Sequence, residues 1–406
     1  NAKTAEGAFR GIQTIRQIIP ETSNDTLSEN KMWLIPTGKI IDNPNFEYRG
    51  SMLDVARHFF SVEDVKKYID ILAYYKINTL HLHLTDDQGW RIEIKSWPKL
   101  TEIGGSSEVG GGPGGFYTQE EYKDIVAYAA KHFITIVPEV DMPGHTNAAS
   151  VAYPILNGNG KTPKIYTGTE VGFSTFDANK DTVYAFIDDV VREISAITPG
   201  PYFHAGGDES HVTKKKDFIH FVSKVDKIVK KYGKKMIGWD EIVHADIDTS
   251  AIAQFWANEE NAKLAVEKGL KVILSPGKKA YLDMKYDTLS KYGLNWAGLI
   301  PVDTGYVWTP ERYVQGINKE NILGIEAPLW SETVSNMDEV EYLAFPRMIG
   351  YSELSWSVEE NRNWDNYKVR LGNQAPYLDK MNVKYYPSEL IEWKKSKYTY
   401  KTIEKD

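Results

Sequence analysis

From Tyr48 onward the apolar residues of the chain follow two alternating rhythms. Short continuous runs are followed by stretches in which apolar residues recur at helical spacing. The runs are Ser51-Met52-Leu53-Asp54-Val55, 77–84, 133–137, Tyr202-Phe203, Met236-Ile237-Gly238-Trp239, 251–256, Lys271-Val272-Ile273-Leu274 and Ile322-Leu323-Gly324-Ile325-Glu326. Between them, Val62, Val65, Ile69 and Leu72 line one helix face behind Ser61, an N-cap with Asp64 three residues on. Thr118-Gln119-Glu120-Glu121 is a capping box opening a helix that buries Tyr122, Ile125, Val126 and Ala129. A stripe of Val183, Phe186, Ile187, Val190, Ile194 and Ile197 closes at Pro199-Gly200, and Phe218, Phe221, Val222, Val225, Ile228 and Val229 form another. Further helices are expected from about Glu259 and around 340–349. Eight strands alternating with helices predict an α/β fold with a parallel sheet, and eight repeats predict that it closes into a (β/α)8 TIM barrel.

The flanks are less regular. Ile12, Ile15, Ile18 and Ile19 form a helical stripe stopped by Pro20; residues 21–31 read as a polar loop, and 40–44 as a short strand and turn. This predicts an N-terminal helix and linker over 1–46, a barrel over 47–380 and a C-terminal tail over 381–406 with little periodicity. Within the barrel, 98–115, rich in Gly from Gly104, and 141–179 read as long loops.

Composition narrows the class without naming it. The chain has 406 residues, 42% hydrophobic and 26% charged, which is ordinary for a large globular core. Its net charge of -8 argues against a nucleic-acid partner, and Lys214-Lys215-Lys216 is a short basic run in helical context. No cysteine is present, which removes disulfides, thiolate nucleophiles and thiolate metal sites. No apolar run approaches about 18 residues, so no membrane-spanning helix is expected. A chain that begins at Asn1 without Met or signal peptide reads as a processed or excised piece of a longer product.

The chemistry gathers at strand ends. His204-Ala205-Gly206-Gly207-Asp208-Glu209 carries a buried run through two glycines into adjacent carboxylates. At a buried strand end these resist ionising together, so at least one pKa should rise, as a general acid requires. An isolated Asp-Glu pair is more often a helix cap beside a surface residue. Here, however, strand ends also carry Asp54 and Arg57, Asp86, Glu139 and His145, Trp239, Trp256, Tyr281 and Asp283, and Trp330 and Glu332. Such recurrence at the C-terminal ends of barrel strands marks an active site. Two chemistries compete. His81-Leu82-His83, with His145, His204 and Asp208, could hold a hydrolytic metal, although the two histidines alternate with leucines and suit a hydrogen-bonded interior equally. Carboxylates between aromatic walls suit glycoside hydrolysis.

The motifs around Arg57, His81–Arg91, Pro138–Thr146 and His204–Glu209 resemble the family 20 glycoside hydrolases, the β-N-acetylhexosaminidases. The resemblance runs from about Gly7 to Tyr377 and is nearest bacterial members, including the Gly-rich loop 109–115. It implies an exo-acting, retaining enzyme that removes terminal N-acetylhexosamine, with the substrate's own acetamido oxygen as nucleophile and an oxazolinium intermediate. It further implies Glu209 as acid and base, Asp208 and Tyr281 on the acetamido group, and Asp86 with His145 tuning Glu209. Trp239, Trp256 and Trp330 would wall the acetamide pocket. Arg57, Glu332 and Asp283 would hold ring hydroxyls, and Trp296 would stack on the leaving sugar. A carbohydrate partner and no nucleotide or metal cofactor are implied, with a secreted or cell-surface bacterial location inferred from the substrate class. Residues 1–46 would be the remnant of a small α/β domain preceding the barrel. Two alternatives stay open: a disaccharide-releasing lacto-N-biosidase, and a carbohydrate-binding barrel without catalysis.

Overall fold

The computed structural model describes residues 1–19, 37–158 and 163–394. The polar loop expected over 21–31 and the end of the tail lie outside these residues. The eight strands are β1 (Tyr48–Asp54), β2 (Thr79–His83), β3 (Thr135–Glu139), β4 (Tyr202–His204), β5 (Lys235–Trp239), β6 (Ile252–Phe255), β7 (Lys271–Leu274) and β8 (Ile322–Leu329). They hydrogen-bond in sequence order as a closed barrel, and each neighbouring pair is parallel. Closure places Gly324 of β8 against Tyr48 of β1, where a Cβ would stand 1.7 Å from the Tyr48 carbonyl oxygen. Only glycine fits there.

Local sequence signals set the helices. Both expected capping boxes form: Ser61 with Asp64, and Thr118 with Glu121. One connection departs from the expected alternation. After β5 the chain makes only a 3-10 stretch, Asp240–His244, before entering β6. The 141–179 loop contains a short helix, Asn147–Ala152, and a 3-10 turn, Pro154–Leu156.

The barrel interior is stacked in three layers, as period-2 alternation along inward-facing strands requires. The lowest is apolar, with Tyr48, Val137, Ile237, Ile252 and Ile273. The middle is ionic. Glu139 accepts from the Trp239 indole at 3.0 Å and lies 2.9 Å from His204 and 3.0 Å from His81, while Glu326 accepts from Gln254 at 2.7 Å and also pairs with His81. Burial alone would lower the pKa of His81, but Glu326 and Glu139 outweigh it and push the imidazole up to about 9. The highest layer is Met52, Trp239, Tyr281, Met284, Ile300 and Trp330, and it forms the floor of the site.

Packing extends beyond the predicted barrel limits. In the N-terminal helix, Ala5–Ile18, Arg10 donates to the Phe133 carbonyl at 2.6 Å and Gln17 to that of Tyr74 at 2.8 Å. At the other end Val383 and Ile391 are buried, and Tyr386 stacks on Tyr286 with ring centres 4.1 Å apart. Residues 381–394 therefore continue the fold, although their spacing shows no periodicity.

Arg347 ties the loop after β7 to the helix that follows β8. It is buried, lies over the Tyr286 ring at 3.8 Å and donates to the carbonyls of Leu282, Met284, Ile300 and Leu343. Arg347→Met would leave these acceptors without their cationic donor. It is expected to lower stability by roughly 3–5 kcal/mol, read as a shifted urea midpoint, with Arg347→Lys recovering only part because it lacks the planar fork.

Candidate active site

The turn after β4 delivers the two carboxylates. Gly206 and Gly207 have φ of 65° and 106°, and a Cβ on Gly206 would stand 1.7 Å from Asp141 Oδ1. Glycine is thus required for this approach, which the Gly207 amide completes by donating to Asp141 at 3.0 Å. Glu209 and His145 also adopt left-handed backbone, with φ of 43° and 55°. Glutamate rarely adopts it, and such conformations concentrate at functional sites.

His145 stands between the carboxylates and a buried support. Its Nε2 lies 3.7 Å from Asp208 Oδ2 and 3.8 Å from Glu209 Oε2, with no hydrogen-bonding partner among the described residues. Its Nδ1 is 3.2 Å from Asp86 Oδ1. Asp86 Oδ2 is 2.9 Å from Arg57 and 2.8 Å from His83 Nε2, and His83 continues to Glu139 in the ionic layer. A chain of charges therefore links the barrel centre to Glu209. Burial alone would raise the Asp86 carboxyl, but Arg57 and His145 hold it well below the usual carboxylate range. Burial would lower His145, yet Asp86 and Asp208 raise it well above an ordinary imidazole. Glu209 is raised, first by burial and then by Asp208, against the opposing pull of His145 and Arg57. The rise expected of one member of the pair thus falls on Glu209.

A cavity of about 370 Å³ opens onto both carboxylates. Trp256, Tyr281, Trp296 and Trp330 supply its aromatic walls, and Arg57, Asp283 and Glu332 its further charged groups. Arg57 is fixed by Asp86 and by Asp54 at 3.3 Å, with its guanidinium 4.8 Å from the Trp330 ring centre. Its Nε and Asp208 Oδ1 are buried without a hydrogen-bonding partner among the described residues, which suits a cavity that receives a polar ligand. Asp283 is buried and pushed well above the usual carboxylate range by burial and Glu332. Burial, Asp208 and Asp283 likewise raise the Tyr281 phenol, so it remains a hydrogen-bond donor. Trp296 is 57% exposed at the rim, its ring edge-on to Tyr281 at 5.8 Å.

Trp239 and His204 lie deeper than the cavity lining. Trp239 lies in the floor layer beneath Tyr281 and Trp330: it is fully buried, 5.6 Å from Trp330, and its indole donates to Glu139. The suggested metal set also comes apart. Among the described residues, His204 groups with His81 and Glu139 in the ionic layer, whereas Asp208 groups with His145 and Asp141 above it. The cavity also uses Thr169, Val171, Leu294 and Thr333, which carried no sequence signal because they lie in loops without periodicity.

Comparison with known proteins agrees with this geometry. Residues 46–359 match the catalytic domain of glycosyl hydrolase family 20. The chain is 38% identical to the β-N-acetylhexosaminidase of Cellulomonas fimi, over 97% of this chain and 79% of that protein. It is also 38% identical to a β-hexosaminidase of Porphyromonas gingivalis, over 95% of this chain but 52% of that longer protein. The solved family 20 β-N-acetylhexosaminidase of Streptomyces coelicolor superposes with a TM-score of 0.92 at 47% identity, covering 96% of this chain and 80% of that one. A mutant Streptomyces plicatus β-hexosaminidase in complex with its product GlcNAc gives a TM-score of 0.93 at 48% identity, covering 97% and 80%. With its barrel, its Asp-Glu strand end and these relatives, the chain belongs to glycosyl hydrolase family 20.

Proposed function

We propose that this protein is an exo-acting, retaining β-N-acetylhexosaminidase that removes terminal non-reducing N-acetyl-D-hexosamine with the help of the substrate's own acetamido group. The observation that carries this reading is the cavity in which Asp208, Glu209 and the Tyr281 phenol share aromatic walls. Glu209, whose pKa is raised by burial and Asp208, gives its proton to the glycosidic oxygen as the bond breaks. The acetamido oxygen attacks the anomeric carbon, assisted by the Tyr281 hydroxyl. Asp208 accepts from the acetamido N–H and offsets the positive charge that grows there. Glu209, now a carboxylate, takes a proton from the water that opens the oxazolinium ring. Its partner His145, oriented by Asp86, keeps a positive charge beside it through both steps. Arg57, Glu332 and Asp283 bind hydroxyls at the closed end of the sugar, so only a terminal residue fits. Trp296 at the rim receives the leaving sugar. Action on such glycan ends supports a secreted or cell-surface location in a bacterium.

The test compares p-nitrophenyl 2-acetamido-2-deoxy-β-glucoside with the plain β-glucoside, each with and without chelator. An intramolecular nucleophile can contribute roughly 7–11 kcal/mol, so the expected result is rapid release from the acetamido compound alone, unaffected by chelation. Comparable rates on both substrates would overturn substrate assistance. Loss on chelation would restore a metal mechanism.

A further inference from the structure

A second cavity, of about 430 Å³, shares Glu209 and Trp256 with the first. This is within the range of small-ligand pockets, about 300–1,000 Å³. Its position follows from the reading above, on which the inference rests: a leaving group must pass the acid that protonates it, and this cavity is lined by that acid.

The lining has a particular charge pattern. Lys215, His211 and His244 supply three basic groups, and the hydroxyls of Ser210 and Thr213 lie 2.6 Å apart within it. Among the described residues, none of the three basic side chains forms an ion pair. His211 is held in place: its amide donates to the Glu209 carbonyl at 2.6 Å, and Gly172, at φ of 78°, passes so close that a Cβ there would stand 2.2 Å from the imidazole. Phe218 gives the cavity one apolar face.

Two acids face these basic groups, Glu209 and Glu241. Glu241 accepts the Trp256 indole N–H at 3.2 Å. Burial, Asp240 and Asp208 raise its carboxyl well above the usual range, and burial with Asp208 raises Glu209. Both acids that face the basic groups are thereby shifted toward their neutral forms.

We propose that this cavity is a leaving-group subsite selective for an anionic sugar, one that carries a carboxylate or a sulfate. The leaving sugar spans Glu209 between Trp296 at the rim of the first cavity and Phe218 here, and its charged substituent sits among Lys215, His211 and His244. Nothing in the reaction itself needs these groups, so they select the substrate without changing the chemical step.

Three substrates test this: N-acetylglucosamine β-linked to glucuronic acid, to 6-sulfated glucose and to glucose. At low ionic strength the two anionic substrates are expected to exceed the neutral one in kcat/KM by roughly tenfold, the effect of a few partly exposed charge-assisted contacts. The double variant Lys215→Ala, His244→Ala should bring the ratio near parity, as should about 0.5 M salt through screening. Lys215→Arg should retain the preference. The rate on p-nitrophenyl N-acetylglucosaminide should not move in any of these variants. Preference for only one anion supports the subsite and identifies which anion it takes. Parity in the unmodified protein, or a preference that survives the double variant, overturns the subsite alone. Absence of turnover on the nitrophenyl substrate overturns the hexosaminidase reading and the subsite with it.

Discussion

Glu209→Gln should lower kcat/KM on an N-acetylglucosamine disaccharide by roughly 10²–10⁴-fold, the usual contribution of a positioned general acid. Glutamine keeps the size of the side chain and its hydrogen-bonding capacity but has no proton to give. A sugar leaving group cannot depart as an alkoxide at neutral pH, whereas p-nitrophenolate can. Because kcat/KM reports the first chemical step, the loss on the nitrophenyl substrate should be far smaller. Equal losses on both would remove the acid role from Glu209. The pH profile offers a second reading. Burial and Asp208 raise the Glu209 pKa, and activity needs the protonated form. Activity on the disaccharide should therefore hold at low pH and fall as pH rises through that raised value. In Glu209→Gln this alkaline fall should disappear from whatever activity remains.

The frame and the positions of the main acidic groups were legible in the sequence because each depends on local pattern. The Ser61 and Thr118 boxes form where spacing put them, and the strand ends carry the polar groups that a barrel's upper rim requires. Depth was less legible. Trp239 and Trp256 both end strands, but period-2 alternation within a barrel does not say how far up a side chain sits. Trp239 falls in the buried floor layer with Tyr281 and Trp330, and its indole donates downward to Glu139. The ionic layer itself was visible only as an oddity, histidines alternating with leucines in β2. Its meaning depends on Glu139 and Glu326 arriving from other strands. Thr169, Val171 and Leu294 reach the cavity through loop geometry that no local pattern encodes. The missing helix after β5 has a local cause that composition hid: Asp240 accepts the Trp256, Ala257 and Asn258 amides and the Asn261 side chain, drawing the two strand ends together over a short connection.

Asp208→Asn should lower kcat/KM by roughly 10³-fold while leaving the urea midpoint near that of the unmodified protein. The reasoning turns on charge. As the acetamido oxygen attacks, positive charge spreads to the nitrogen, and Asp208 is the carboxylate assigned to meet it. Asparagine retains the shape but loses the charge, and it can present its own N–H where an acceptor is needed. The loss should be similar for disaccharide and nitrophenyl substrates, since both form the same oxazolinium ion; this separates Asp208 from Glu209. The fold should survive because Asp208 Oδ1 has no hydrogen-bonding partner to lose among the described residues. One further consequence has a fixed sign. Asp208 raises the Glu209 pKa, so removing its charge should move the alkaline limb of residual activity to lower pH. Misfolding would reduce the amount of active protein without moving that limb. A rate near that of the unmodified protein, or an alkaline limb that stays in place, would take Asp208 out of the mechanism.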